Sequence, residues 1–435
     1  MMLAASQNTE KSHNLRLMLV YFVAASVGLS VAWVSIGKFA LFVSALGLAL
    51  AYQFGFHRSG RTGEQWAVPA YTARAIGVSL LAFTLSLFWT TTDSAESLGS
   101  IGKYGKLLTI LLLPMFLRSR QEVVLALTVF AVSQGVLALT SWLLFWGVPV
   151  PWATSRMAAN EFAVFSTYLD QSIMSAVAAA VCWHLRHIAP TRWGKYAAVF
   201  IAAICMANVL FALKGRSGHI VAIVLLLLAI MWELPRRYRW LLMVLPVILL
   251  TAAYTLSPKV QQRVNEVQSE VQAFSFQKGE SLATGSSSGI RLHFWHRAAQ
   301  SMSESPWLGS GVGSWSNEYN RLEKQRNPKG VMVGERSNPH QEYLMWGVQL
   351  GAAGVLLFVA LLLCAVRDTW HADAPAKRAA QSVVAGFAVS CLFNSSLYDA
   401  LIGDFFCVAL GLTLALASYP SNPTATPHTA TLGRS

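Results

Sequence analysis

Apolar runs of about 17–25 residues alternate along the chain with short basic turns, a length that matches the hydrocarbon thickness of a bilayer. The expected spans are 17–36, 39–55, 75–92, 104–117, 122–147, 170–186, 196–213, 218–234, 239–256, 341–366, 379–397 and 401–418, about twelve in all. The fourth is short and contains Pro114. One long polar stretch, 257–340, interrupts this rhythm. The chain therefore divides into helices one to nine over 1–256, a loop over 257–340, helices ten to twelve over 341–418, and a tail over 419–435. The tail is rich in Pro, Ser and Thr and has the composition of a disordered segment.

Within the loop, the apolar spacing predicts helices. Ser257 suits a cap and Pro258 a first helical position, while Val260, Val264, Val267, Val271 and Phe274 share a face. This first piece is an amphipathic helix that lies on the membrane or on the rest of the loop. The stretch KGESLATGSSSG, 278–289, reads as a flexible hinge or lid. A second helix is expected at 290–303 and a third, polar one at 316–326, with the tight turn PWLGSGVGSW between them.

Composition sharpens the class. The chain is 54% hydrophobic and only 12% charged, against about a quarter charged in a soluble domain. The fold class is therefore an all-α polytopic membrane protein with one large, mainly helical loop between helices nine and ten. All five cysteines, Cys182, Cys205, Cys364, Cys391 and Cys407, fall in apolar spans, which leaves no disulfide framework and no cysteine metal motif.

Charge sets the orientation. With a cytoplasmic N-terminus, the inside turns carry Arg58, Arg61, Arg74, Arg118, Arg120, Arg186, Arg192, Lys195, Arg236, Arg237, Arg239, Arg367, Lys377 and Arg378. Both termini are then cytoplasmic and the loop is periplasmic in a Gram-negative cell. Lys11 and Arg16 precede the first span, but a second span follows at once, so an uncleaved helix is expected rather than a signal peptide. The excess of 33 Lys and Arg over 20 Asp and Glu is explained by topology and an anionic ligand, not by nucleic acid. Lys103, Lys106, Arg156, Lys214 and Arg216 fall on the outer side, against the rule. Each can be read as a snorkelling residue; as a set they point to an anion held at that face.

His340 is the strongest single candidate for chemistry. Asn338 suits an N-cap and Pro339 a first helical position, which puts His340 in the first turn of the tenth span. The helix dipole there favours a neutral imidazole able to take a proton. Arg216 sits in the outer turn LKGRSGH, where Gly215 and Gly218 would let the backbone approach a ligand. Its guanidinium suits phosphate oxygens, although it also serves simply to end a span. Arg291 opens the second loop helix with Trp295 one turn along, a pairing suited to phosphate recognition with sugar stacking, or an ordinary solvated charge beside an interfacial ring. Gly309, Gly311 and Gly313 miss the dinucleotide spacing. His293 and His296 lack a third metal ligand nearby, so no metal is expected. Asp170 and Asp404, near span boundaries, are costly placements suited to orienting an arginine or histidine.

These residues and this topology resemble the O-antigen ligase and polymerase superfamily, and within it the O-antigen ligases. Their motif is His, then Asn, Ser or Gln, nine residues, Gly, two residues, then Gly, Thr or Tyr. It is met here by His340, Gln341, Gly351 and Gly354. Glycines placed this way inside a span also suit close helix packing. The family's functional arginines correspond to Arg216 and Arg291; Lys214, Lys103, Lys106, Arg156 and Trp295 are weaker candidates for phosphate or substrate contacts, read from this chain's own residues. The resemblance implies a GT-C-like glycosyltransferase of lipopolysaccharide biosynthesis at the periplasmic face of the cell inner membrane. It would move O-antigen from undecaprenyl diphosphate to a sugar of lipid A-core with inversion, without cofactor, ATP or divalent metal. An O-antigen polymerase, a protein O-oligosaccharyltransferase and a lipid-linked oligosaccharide flippase or transporter remain the alternatives, and the oligomeric state is open.

Overall fold

In the computed structural model the described residues are 2–53, 68–241, 287–326 and 338–419, with scattered residues between 244 and 281. In chain order the helices are α1 (Met2–Ser26), α2 (Val31–Gln53), α3 (Ala70–Leu85), α4 (Ser94–Tyr104), α5 (Thr109–Phe116), α6 (Arg120–Phe145), α7 (Ala158–Glu161), α8 (Tyr168–Leu185), α9 (Arg192–Ala207) and α10 (Arg216–Glu233). After the sparsely described region come α11 (Ser287–Glu304), α12 (Trp315–Arg326), α13 (Glu342–Asp368), α14 (Ala374–Ser390) and α15 (Ala400–Ser418). Two-residue strands at Phe274–Ser275 and Glu280–Ser281 pair antiparallel and are the only strands among the described residues.

Short polar side chains fix many of the helix starts. Asp93, Ser119, Thr167, Thr191 and Asp373 each accept a hydrogen bond from a backbone N–H in the first turn of the following helix. Seven of the described helices are long and apolar enough to cross a membrane by length and composition. Enclosure also lets a helix carry polar side chains. α8 is buried along most of its length and packs against α9, α10 and α14, so it can carry Gln171, Ser172 and Ser175.

Contacts between helix ends sort the bundle into two poles. At one pole Asp368, closing α13, accepts from the Thr72 N–H and hydroxyl at 2.7 Å, while Arg120 binds Asp373 and the Tyr419 carbonyl. Arg186 binds Glu233 there at 2.8 Å, joining the ends of α8 and α10. At the other pole lie the ends of α3 and α6, the starts of α8, α10, α13 and α15, and the loop helices α11 and α12. Exposed tryptophans gather near both poles, with Trp89, Trp146, Trp152 and Trp307 at the second and Trp193 and Trp370 at the first. Indoles in such belts mark membrane–water boundaries.

Several expected boundaries move. The first two spans are separated at Gly28, where φ is +87°, and not at 36–39. The stretch expected as a span at 104–117 is a 3₁₀ turn over Gly105–Leu108 followed by α5, only eight residues long. It runs between the poles because it is sheltered against α15. The span expected at 239–256 and the amphipathic helix expected after Ser257 fall almost wholly outside the described residues. Of the expected hinge at 278–289, Ser287–Gly289 is already helical. The second and third loop helices match α11 and α12 within a few residues.

α13 is broken. Gly351 has φ +64° and ψ −152°, conformations closed to a helix and unfavourable for other residues. The break frees the carbonyls of Val348 and Gln349 from the helical ladder. They accept instead from Ser310 N at 2.8 Å and Gly311 N at 2.9 Å, in the turn between α11 and α12. Ala352 N in turn donates to the Pro306 carbonyl at 2.8 Å. Gly311, with φ +88°, lies so close to Thr90 that an added Cβ would fall 2.3 Å from its Cα. The glycine run thus serves backbone-to-backbone packing.

Candidate functional site

His340 lies outside α13, not in its first turn. The cap is Gln341, whose side-chain oxygen accepts from Leu344 N at 2.7 Å, and the helix begins at Glu342. Asn338 makes a tighter local turn instead, with its Oδ1 accepting from His340 N at 2.9 Å. An Asn-Pro pair serves either geometry. His340 consequently has φ +54°, a left-handed conformation rare for histidine, and its ring stacks on Phe294 at 5.9 Å.

α11 brings the other two candidates to the same place. Phe294 lies one turn beyond Arg291, so the face that touches His340 also carries Arg291. Arg216, the first residue of α10, donates to Ser288 of α11 at 3.4 Å. The Arg291 guanidinium holds its proton less tightly than usual; burial is the main cause, the Tyr168 phenol opposes it, and the charge of Arg216 adds to it. Two arginines from separate elements thus face one another, and among the described residues neither has a carboxylate within salt-bridge range. Such a pair favours an anion between them. A π turn, Asn208–Ala212, leads the chain into this corner. Gly215 and Gly218 serve a different close approach from the one expected. An added Cβ would meet Ser172 Oγ of α8 at 2.2 and 2.1 Å, so these glycines seat α10 on α8.

A cavity of about 440 Å³ lies at the same pole. Its lining includes Lys38, Lys103, Lys106, Tyr398, Asp399 and Asp404. Lys106 is almost wholly buried and donates to the Asp399 carbonyl at 2.6 Å, while the Lys103 ammonium lies 4.0 Å from the centre of the Tyr398 ring. Asn338 connects the cavity to the histidine, because its Nδ2 donates to Asp399 Oδ1 at 2.9 Å while its oxygen holds His340 N. Burial pushes the Asp399 carboxyl up to about 7, with Asp170 adding to the shift and Lys106, Lys103 and the Asn338 amide opposing it. Glu342 secures the strand of chain that presents these groups. Its buried carboxylate accepts from Leu397 N at 3.0 Å, Tyr398 N at 3.1 Å and the Trp346 indole at 3.1 Å.

The remaining expected contacts part company. Lys103 and Lys106 line the cavity, whereas Lys214 is spent on the Asn160 carbonyl at 3.0 Å and Arg156 is exposed in the turn before α7. Trp295 is partly buried against the main core, so its ring is already committed to packing. His293 hydrogen-bonds Glu323 at 2.9 Å and Arg297 reaches the same carboxylate at 2.6 Å, which ties α11 to α12. Asp404 pairs with Lys38, not with an arginine or histidine.

Sequence reasoning missed Asp399, Tyr398, Glu342 and Lys38. The available signal was the cluster NSSLYDALIGD, which sets two acids at the mouth of an apolar run.

Fold and site together define a multi-pass helical membrane protein with a cation-lined cavity at one pole of its bundle. Residues 201–359 match the family model described as O-antigen ligase, which supports a place in the O-antigen ligase and polymerase superfamily. The matched stretch contains Arg216, Arg291, His340 and the motif glycines, while Lys38, Lys103, Lys106, Asp399 and Asp404 lie outside it. No curated protein matches the chain.

Proposed function

We propose that the chain is an O-antigen ligase acting at the periplasmic face of the inner membrane. It transfers O-antigen from undecaprenyl diphosphate to a sugar hydroxyl of lipid A-core. The observation that carries this reading is the approach of Arg216 and Arg291, with no carboxylate in salt-bridge range of either among the described residues, beside a constrained histidine.

The acceptor oxygen attacks the anomeric carbon, forming the new glycosidic bond as the bond to the diphosphate oxygen breaks. The hydroxyl proton passes to the His340 imidazole, and the bonding pair leaves with undecaprenyl diphosphate. Attack opposite the leaving group inverts the anomeric configuration. Arg216 and Arg291 hold the charge that grows on the diphosphate, a task that fixed guanidinium groups can perform without a divalent metal. Lys103 and Lys106 extend the same positive field toward the cavity. Asp399 and Asn338 orient the turn that carries His340.

The test uses purified protein, lipid-linked glycan and lipid A-core. Transfer to lipid A-core is expected, and Arg216→Ala or His340→Asn should reduce it by about 10²–10³-fold while still inserting normally. Asparagine tolerates the left-handed backbone at position 340. Longer lipid-linked chains in place of a lipid A-core product would instead identify a polymerase. Loss of transfer in EDTA with recovery on added Mg²⁺ would overturn the metal-free mechanism.

A further inference from the structure

Lys38 and Asp404 form an ion pair in the side wall of the cavity. Asp404 is 2% exposed and sits one turn into α15, whereas Lys38 is 19% exposed and comes from α2, the least buried of the seven candidate spans. Burying an ionisable group is costly, and a buried pair gives little stability beyond what packed apolar side chains would give. The facing wall is α4. Gly99 and Gly102 line the cavity there, and a Cβ on either would meet nothing within 4 Å. The seam between α2 and α4 is therefore open on one side and carries a lysine on the other.

Each cavity lysine has a different holder. Lys106 is held by a carbonyl and Lys103 by a ring face, while Lys38 alone of the three is held by a carboxylate in a charged pair. A diphosphate carries more charge than one carboxylate and offers more acceptor oxygens, so it competes for that ammonium. We propose that Lys38 is an exchange cation. It is held by Asp404 in the present structure, and it turns to the diphosphate of the lipid-borne donor as that group enters between α2 and α4. This rests on the reading of the chain as a transferase with a polyprenyl-diphosphate donor.

The decisive variant is the double neutral replacement Lys38→Met with Asp404→Asn, made in the full chain, which removes the pair without leaving a lone buried charge. Two quantities are read: donor KM against kcat in the transfer assay, and binding of undecaprenyl diphosphate alone. The double variant is expected to raise donor KM and weaken that binding by about tenfold or more, with kcat and acceptor KM near wild type. Lys38→Arg alone, which keeps a cation opposite Asp404, should leave both near wild type. Wild-type donor KM and binding in the double variant would make the pair purely structural and overturn the proposal. Should the double variant fail to insert, the swapped pair Lys38→Asp with Asp404→Lys keeps the ion pair but turns the carboxylate toward the cavity. Weakened binding is again expected, and wild-type binding again overturns the proposal. A wild-type protein that binds undecaprenyl diphosphate through Lys38 but transfers nothing would sink the ligase reading and leave this inference standing.

Discussion

The φ of +54° at His340 is a conformational cost of about 1 kcal/mol or more, met here by the Asn338 hydrogen bond and the Phe294 ring. The sequence makes this histidine conspicuous but not its setting, because Asn-Pro starts an Asx turn as readily as a helix and glutamine is an uncommon cap. Asp399 was illegible for another reason. Its importance comes from Asn338 and Lys106, which are 61 and 293 positions away. With the carboxyl raised to about 7, its ionised form, the stronger acceptor for Asn338, accumulates as pH rises through that value. Transfer is therefore expected to climb across roughly pH 6–8, and Asp399→Asn, which cannot ionise, to abolish the climb. A rise that persists in the variant assigns it to a different group. The same raised value means that protonated Asp399 favours the folded state at low pH. That contribution is lost as pH rises from the ordinary carboxylate value, about 4, to about 7, so melting temperature should drift downward over that range and level off where the rate is still climbing.

Among the elements, α11 and α12 were legible because their capping residues and apolar spacing are local properties. The break in α13 was not. Glycine spacing suggested a smooth helix with a close neighbour, and spacing carries no information about φ. Gly351→Ala would both force a left-handed alanine and set its Cβ 2.4 Å from the Trp307 carbonyl carbon. It is expected to cost about 2–3 kcal/mol, seen as a lower melting temperature of the purified protein. Gly77→Ala in α3 is the matched control, since a Cβ there meets nothing within 4 Å and the helix gains a better former. Equal melting temperatures for the two variants would remove the structural role assigned to the break.

For the whole molecule, alternating charge made the two poles legible from sequence. Their contents were not, because the site gathers α4, α8, α10, α11 and the starts of α13 and α15 from across the chain. Hydropathy marked α8 as a span at 170–186 but could not show the shelter that lets it carry Gln171 and Ser172, nor that α5 would cross as a fragment. The orientation is directly testable by labelling, since four of the five cysteines are buried and Cys364 is partly so. Ser303→Cys, exposed near the end of α11, is expected to react with a membrane-impermeant maleimide in cells with a permeabilised outer membrane. His371→Cys, exposed between α13 and α14 at the other pole, should react only after lysis. The opposite pattern would turn the site toward the cytoplasm.

The interrupted helix also bears on how pieces of this protein can be exchanged. Because Val348 and Gln349 are tied to the turn at Ser310 and Gly311, and Ala352 and Ala353 to Pro306 and Trp307, the stretch 342–353 belongs mechanically with that turn, although it is contiguous with a candidate span. A chimera joined at His340 would cut through that unit and part the turn from its acceptors. The natural seam for exchange between relatives lies further inside the helix, beyond Ala353, whose N–H still reaches the Trp307 carbonyl.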